Sequence, residues 1–168
     1  MELKILADQQ MTEQIRKMRV EIPLDYTTGY THFGIDPGVT NLGITFIQPM
    51  NKNATLFQIQ LKRADNMIDR MVNIRYALQD CIGYFGFNPR CVIEGASFGN
   101  QYRQVELAEA RAAIGLWFHN HSVKVDVIPP LMIRKSIFGS GKIKNIWENI
   151  PDDAAASLAC VLYSMKEG

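Results

Sequence analysis

The sequence predicts an α/β fold, a mixed sheet with helices packed on it, and three observations carry that prediction. Short segments with strand periodicity crowd into residues 31–61. Beyond them, longer segments with helical periodicity alternate with short apolar runs, and a last helical segment closes the chain. From residue 31 the order is β-β-β-α-β-α-β-α, which is a mixed sheet of five strands flanked by helices.

The elements follow in order. Leu3, Ala7, Met11, Ile15, Met18 and Ile22 recur at four- and three-residue spacing, so residues 2–22 read as a helix with one apolar stripe. Pro23 ends it, and 25–29 has the turn chemistry of a linker. Residues 1–29 are thus expected to be a helical extension and linker, and 30–168 the main domain. The stripe suits docking on this domain or a twin subunit, because Glu and Gln dilute the cationic face a membrane binder needs. Residues 31–36 form a strand broken by Pro37-Gly38, 42–47 a second, and 55–61 a third in which Leu56, Gln58 and Gln60 alternate with Phe57, Ile59 and Leu61. Strands so closely spaced make an antiparallel meander. Residues 64–84 carry helical periodicity, and 90–94 form a short buried strand after Asn88-Pro89. An Ala- and Gly-rich helix spans 105–118, a strand 122–128 ends at Pro129-Pro130, a short helix follows, and 152–166 is the final helix.

At 168 residues the chain is about one domain plus an appendage, large enough to need no staples. Hydrophobic content of 47% with 21% charged residues excludes disorder. No apolar run approaches the ~18 residues of a membrane helix, and the N-terminus lacks signal-peptide chemistry. Cys81, Cys91 and Cys160 form no C-x-x-C and no complete set of pairs, so they read as reduced thiols in a cytoplasm-like compartment. A net charge of +1 argues against indiscriminate coating of nucleic acid. It conceals a basic stretch: Lys124, Arg134, Lys135, Lys142 and Lys144 are opposed there by Asp126 alone.

Three strand or helix ends each present carboxylates. Asp36 follows Phe33-Gly34-Ile35, Glu94 follows Val92-Ile93 and precedes small residues, and Asp152 and Asp153 open the last helix behind Pro151. Asp36 also has an ordinary explanation in a Pro-Gly turn, and Asp152 one as a helix N-cap. Glu94 has none; at the end of a buried strand it faces desolvation unless positive charge meets it. Carboxylates converging at one sheet end repel one another. A hard divalent cation such as Mg²⁺ relieves that repulsion, and two such ions about 4 Å apart promote phosphodiester hydrolysis.

The segments Gly34-Ile35-Asp36-Pro37-Gly38-Val39-Thr40-Asn41-Leu42-Gly43, Val92-Ile93-Glu94 and Asp152-Asp153-Ala154-Ala155-Ala156-Ser157-Leu158-Ala159, in that order, resemble the RuvC-like Holliday junction resolvases of the RNase H-like nuclease superfamily. Residues 108–113 and 133–141 are similar to the family as well. The resemblance implies an RNase H-like mixed five-stranded sheet and a homodimer that binds four-way DNA junctions and cuts two opposed strands. It implies two Mg²⁺ ions per site, replaceable by Mn²⁺, on Asp36, Glu94 and Asp153. The family's last aspartate falls on Ala156, whose methyl binds no metal. Either Asp152 substitutes or the site is weakened or inactivated. The N-terminal extension is a second departure and fits a phage or viral version.

A junction offers unpaired bases and phosphates. Phe98 and Tyr102 have the chemistry to stack on a base and Arg103 to meet a phosphate. Arg134, Lys135, Lys142 and Lys144, around a Gly-Ser-Gly turn, suit phosphate contacts that position the backbone. The plain alternatives are an aromatic packed under a helix start and a solvated basic face. His119 and His121 have no ligand spacing to an acid. Three other functions share parts of this pattern: a non-catalytic junction-binding module, a ribonuclease acting on RNA–DNA hybrids, and an ATP-binding protein of the actin and sugar-kinase type. The last needs two domains around its nucleotide, which 168 residues do not supply.

Overall fold

The computed structural model describes residues 2–26, 28–96 and 103–168. In chain order the elements are β1 (Lys4–Gln10), β2 (Ile15–Glu21), a 3-10 turn (Leu24–Tyr26), β3 (His32–Asp36), β4 (Asn41–Ile47), β5 (Asn53–Gln60), α1 (Met67–Cys81), β6 (Arg90–Glu94), α2 (Gln104–Asn120), β7 (Lys124–Ile128), α3 (Pro130–Phe138) and α4 (Asp152–Glu167). Among the described residues seven strands make one sheet in the order β1-β2-β5-β4-β3-β6-β7. β3, β4 and β5 form the antiparallel meander that their short turns demand. β6 and β7 lie parallel to β3, as strands joined through crossover helices must.

The expected helix over 2–22 is a β-hairpin, so the sheet has seven strands rather than five. The spacing of Ile15, Met18 and Ile22 fits a helical stripe, but Val20 falls off it. Met18, Val20 and Ile22 are all buried in one cluster while Arg19 between them is exposed, which is the period of a strand. β2 pairs with β5 along its whole length, from Ile15↔Ile59 to Glu21↔Asn53. At the hairpin tip Thr12 Oγ1 accepts from the backbone N–H of Gln14 (3.1 Å) and of Ile15 (3.0 Å), so a threonine hydroxyl closes the turn.

Helices cover both faces. α4 lies on β3, β4 and β6, with α3 beside it, over a core that includes Val20, Leu56, Val92, Ala155 and Leu158. The other face packs Phe33, Ile35, Ile44 and Ile93 against residues of α1 and α2 such as Leu78, Ile114 and Phe118. β3 divides itself accordingly. Phe33 and Ile35 face α1 and α2, whereas His32, Gly34 and Asp36 face α4. A side chain on Gly34 would stand 2.1 Å from the carbonyl oxygen of Ser157, so the helix backbone rests directly on the strand. The small residues Ala154, Ala155 and Ala159 permit the same closeness elsewhere on α4. Because α4 runs against β3, its first turn lies over the end of β3 that carries Asp36.

Candidate active site

Strand register builds the site. Asp36 pairs with Gly43 of β4, Gly43 with Gln58 of β5, and Gln58 with Arg16 of β2. On the other side Ile35 pairs with Ile93, which sets Asp36 beside Glu94. Gly43 is the gap in this row. A Cβ there would lie 2.1 Å from the carbonyl oxygen of Asp153, so only glycine lets the first turn of α4 descend between Asp36 and Gln58. Gln58 and Asp36 flank the Asp153 side chain closely enough to bear on its charge.

From α3 comes Arg134, whose guanidinium lies 3.5 Å from Glu94 Oε1. It is the positive partner that a carboxylate at the end of a buried strand requires. Gln58, Asp153, Asp36, Glu94 and Arg134 thus form a continuous polar chain across the sheet edge, three carboxyls flanked by an amide and a guanidinium.

The electrostatics follow from that order. Burial, then the charges of Glu94 and Asp153, push the Asp36 carboxyl well above the usual carboxylate range, and Arg134 offsets this only partly. Burial raises Glu94 against the opposing pull of Arg134. Burial also raises Asp153, while the neighbouring Gln58 side chain favours its ionised form. Among the described residues no three His, Cys, Asp or Glu side chains are arranged to hold a metal ion as they stand. In donor chemistry the set nevertheless fits one: hard oxygen donors, mutually repelling, with a single guanidinium against three carboxyls.

The remaining expected residues are placed as follows. Ala156 is half-buried one turn beyond Asp153. Asp152 is exposed, and its carboxylate accepts from Asn145 Nδ2 at 3.1 Å. It is not the N-cap: Pro151 holds that position, and Asp152 is the first residue of the helix. Phe98 and Tyr102 lie outside the described residues. Arg103 is exposed at the start of α2, Lys135 is exposed on α3, and Lys142 and Lys144 are exposed in the loop between α3 and α4. Arg134 and Lys135 therefore diverge, one to a carboxylate and one to solvent. His121 is bonded through Nδ1 to the Trp117 carbonyl and stacks on Phe85, away from the carboxyls. Sequence reasoning missed Gln58 and Gly43. One signal was present: Gln58 shares its strand face with Leu56, so a polar side chain stood in a core-facing row.

A sequence profile described as crossover junction endodeoxyribonuclease RuvC matches residues 32–147. The match takes in Asp36, Glu94 and Arg134 and leaves out the hairpin, Asp153 and Ala156. The crossover junction endodeoxyribonuclease RuvC of Prochlorococcus marinus (strain MIT 9301) is 26% identical over 151 residues, 80% of this chain and 95% of the relative. The Thermus thermophilus RuvC structure superposes with a TM-score of 0.64 at 18% identity, covering 82% of this chain and 95% of that one. The T. thermophilus RuvC in complex with Holliday junction substrate gives 0.57 at 16% identity, covering 82% and 94%. Those two likenesses show the RNase H-like fold, and the profile, spanning well over half of the chain, shows that this protein belongs to the RuvC family of crossover junction endodeoxyribonucleases.

Proposed function

We propose that this chain is a structure-selective endonuclease that binds four-way DNA junctions as a homodimer and hydrolyses phosphodiesters with a divalent metal, its cleavage weakened by Ala156. The observation that carries the reading is the row of three carboxyls, Asp36, Glu94 and Asp153, crowded at one sheet edge with Arg134 as their cationic neighbour. The family relation and the solved junction complex of T. thermophilus RuvC support the substrate.

Asp36, Glu94 and Asp153 would hold the cation, Mg²⁺ or Mn²⁺, as two ions in the full site. A cation there would supply the positive charge that phosphodiester hydrolysis requires. The chain's own groups do the rest. Arg134 opposes the effect of burial on Glu94 and favours its ionised form. Arg103, Lys135, Lys142 and Lys144 hold phosphates and set the backbone over the edge, and Phe98 and Tyr102 stack on unpaired bases. A two-fold junction cut symmetrically needs two sites related by two-fold symmetry. The exposed apolar side chains Ile68, Val72 and Leu116, which line one groove on α1 and α2, support an interface there.

Ala156 and the undercharged site also favour a second reading, a junction-binding protein that does not cut. A gel assay of four-way junction binding and cleavage in Mg²⁺, Mn²⁺ and EDTA separates the two. Slow metal-dependent nicking supports the enzyme; tight binding with no nicking in either metal supports the binder.

A further inference from the structure

Gln58 lies outside the segments that carry the family resemblance, and the register gives it a place in the site. It is the next side chain beyond the Gly43 gap, half-buried, on the face of β5 that α4 covers. α4 brings three candidate positions to that edge, and two contribute little. Asp152 is turned to Asn145, and residue 156 is a methyl. The helix's contribution therefore rests on the orientation of one short carboxylate in its first turn, where rotamer freedom is costly to restrict. Asp153 has two neighbours in the row. One is the Asp36 carboxyl, which bears like charge. The other is the Gln58 amide, an uncharged group that favours the ionised form of Asp153. A donor of that kind, one step removed from the ion, orients a metal-ligating carboxylate and raises its affinity.

We propose that Gln58 is a positioning residue for Asp153: carried by β5 and reaching across Gly43, its side-chain amide holds the Asp153 carboxylate in place for the divalent cation and compensates in part for the fourth carboxylate that Ala156 does not supply. The inference rests on the metal-dependent reading of the site. It adds to that reading a residue from a different strand, with a role in metal affinity and none in junction binding.

The test is Mn²⁺ binding to the intact chain without DNA, by calorimetry, together with the Mg²⁺ concentration that half-saturates junction cleavage. Gln58→Met keeps the length and removes the donor. It is expected to weaken Mn²⁺ about tenfold and to raise the half-saturating Mg²⁺ in step. The cleavage rate is largely restored at high Mg²⁺, and junction affinity in EDTA is unchanged. Gln58→Asn, which withdraws the amide by one methylene, shifts both readouts in the same direction and serves if the Met variant does not fold. In an Asp153→Asn background Gln58→Met adds nothing further, because the pair acts as one unit. If Asp153→Asn weakens Mn²⁺ and the Gln58 variants bind it as the unaltered chain does, the positioning role is overturned and the metal site stands. If Asp153→Asn itself leaves Mn²⁺ affinity unchanged, both are overturned.

Discussion

β3 and α4 meet at both of their ends, and the two meetings are built differently. At one end Asp36 faces Asp153, two carboxyls with a third, Glu94, alongside. At the other His32 is bonded through Nδ1 to Ser164 Oγ and through Nε2 to Thr28 Oγ1, both at 2.7 Å. The His32 end is neutral and satisfied. Burial first, and the Arg90 charge second, lower the His32 pKa to about 4, so the ring stays uncharged at neutral pH. The carboxyl end gathers like charge, and each of its three acids is raised by burial. One strand and one helix thus carry a clasp at one end and stored repulsion at the other. Repulsion of that kind costs stability in the free protein and is relieved by a ligand of opposite charge.

The sharpest way to break the contrast is Asp36→Asn. It is expected to lower Mg²⁺-dependent junction cleavage by about a thousandfold while leaving binding in EDTA intact, and to raise the melting temperature in EDTA because repulsion is removed. Ala156→Asp acts in the opposite sense. Residues 153 and 156 share a helix face, so a fourth carboxylate is expected to raise Mg²⁺-dependent cleavage by about a hundredfold and to lower the melting temperature in EDTA. Equal cleavage with and without that change would show that another group fills the gap; Asp152→Asn would then abolish activity if that group is Asp152.

The pH dependence of stability separates the two ends further. His32 titrates near 6.5 unfolded and near 4 folded, so its contribution is complete above 6.5 and is lost as pH falls towards 4. That is worth about 2 kcal/mol after allowance for solvent screening. Asp36 works the other way: with its folded value raised, stability falls as pH rises above 3.8. Urea unfolding in EDTA at pH 4.5 and 6.5 is therefore expected to show a steeper gain with pH in Asp36→Asn than in the unaltered chain. Ser164→Ala, at the clasp, is expected to cost about 1–2 kcal/mol by orphaning a buried ring nitrogen, with cleavage per folded molecule unchanged. The smallest effect is expected in junction binding. Replacing Arg134 and Lys135 by Ala weakens junction binding, and each lost phosphate contact lowers the slope of log K against log salt by about one. A full unit is expected from exposed Lys135 and less from Arg134, which Glu94 already engages.

The carboxyl end was legible in the sequence because each of its acids stands at a strand or helix end marked by its own neighbours: Pro37-Gly38 after Asp36, small residues after Glu94, Pro151 before Asp152 and Asp153. The meander and the crossover helices were legible for the same reason. What was hidden depends on register. Gln58 matters because Gly43 leaves a gap beside it, and no local pattern states that Gly43 pairs with both Asp36 and Gln58. The hairpin was hidden because Met18 and Ile22, four apart, satisfy both a helix and a strand, and the decisive residue, Val20, acquires its meaning only against β5. Arg134 looked like one more surface cation; its turn towards Glu94 follows from how α3 lies beside α4.

The role proposed for the carboxyl edge is metal-dependent cutting of branched DNA. A gel assay of the unaltered chain with a four-way junction and a linear duplex of the same sequence, in EDTA and then in Mg²⁺, tests it most directly. Preferential binding of the junction is expected in both buffers, with slow paired nicks on opposed strands only when Mg²⁺ is present. Equal affinity for duplex and junction, or nicking that persists in EDTA, would contradict it.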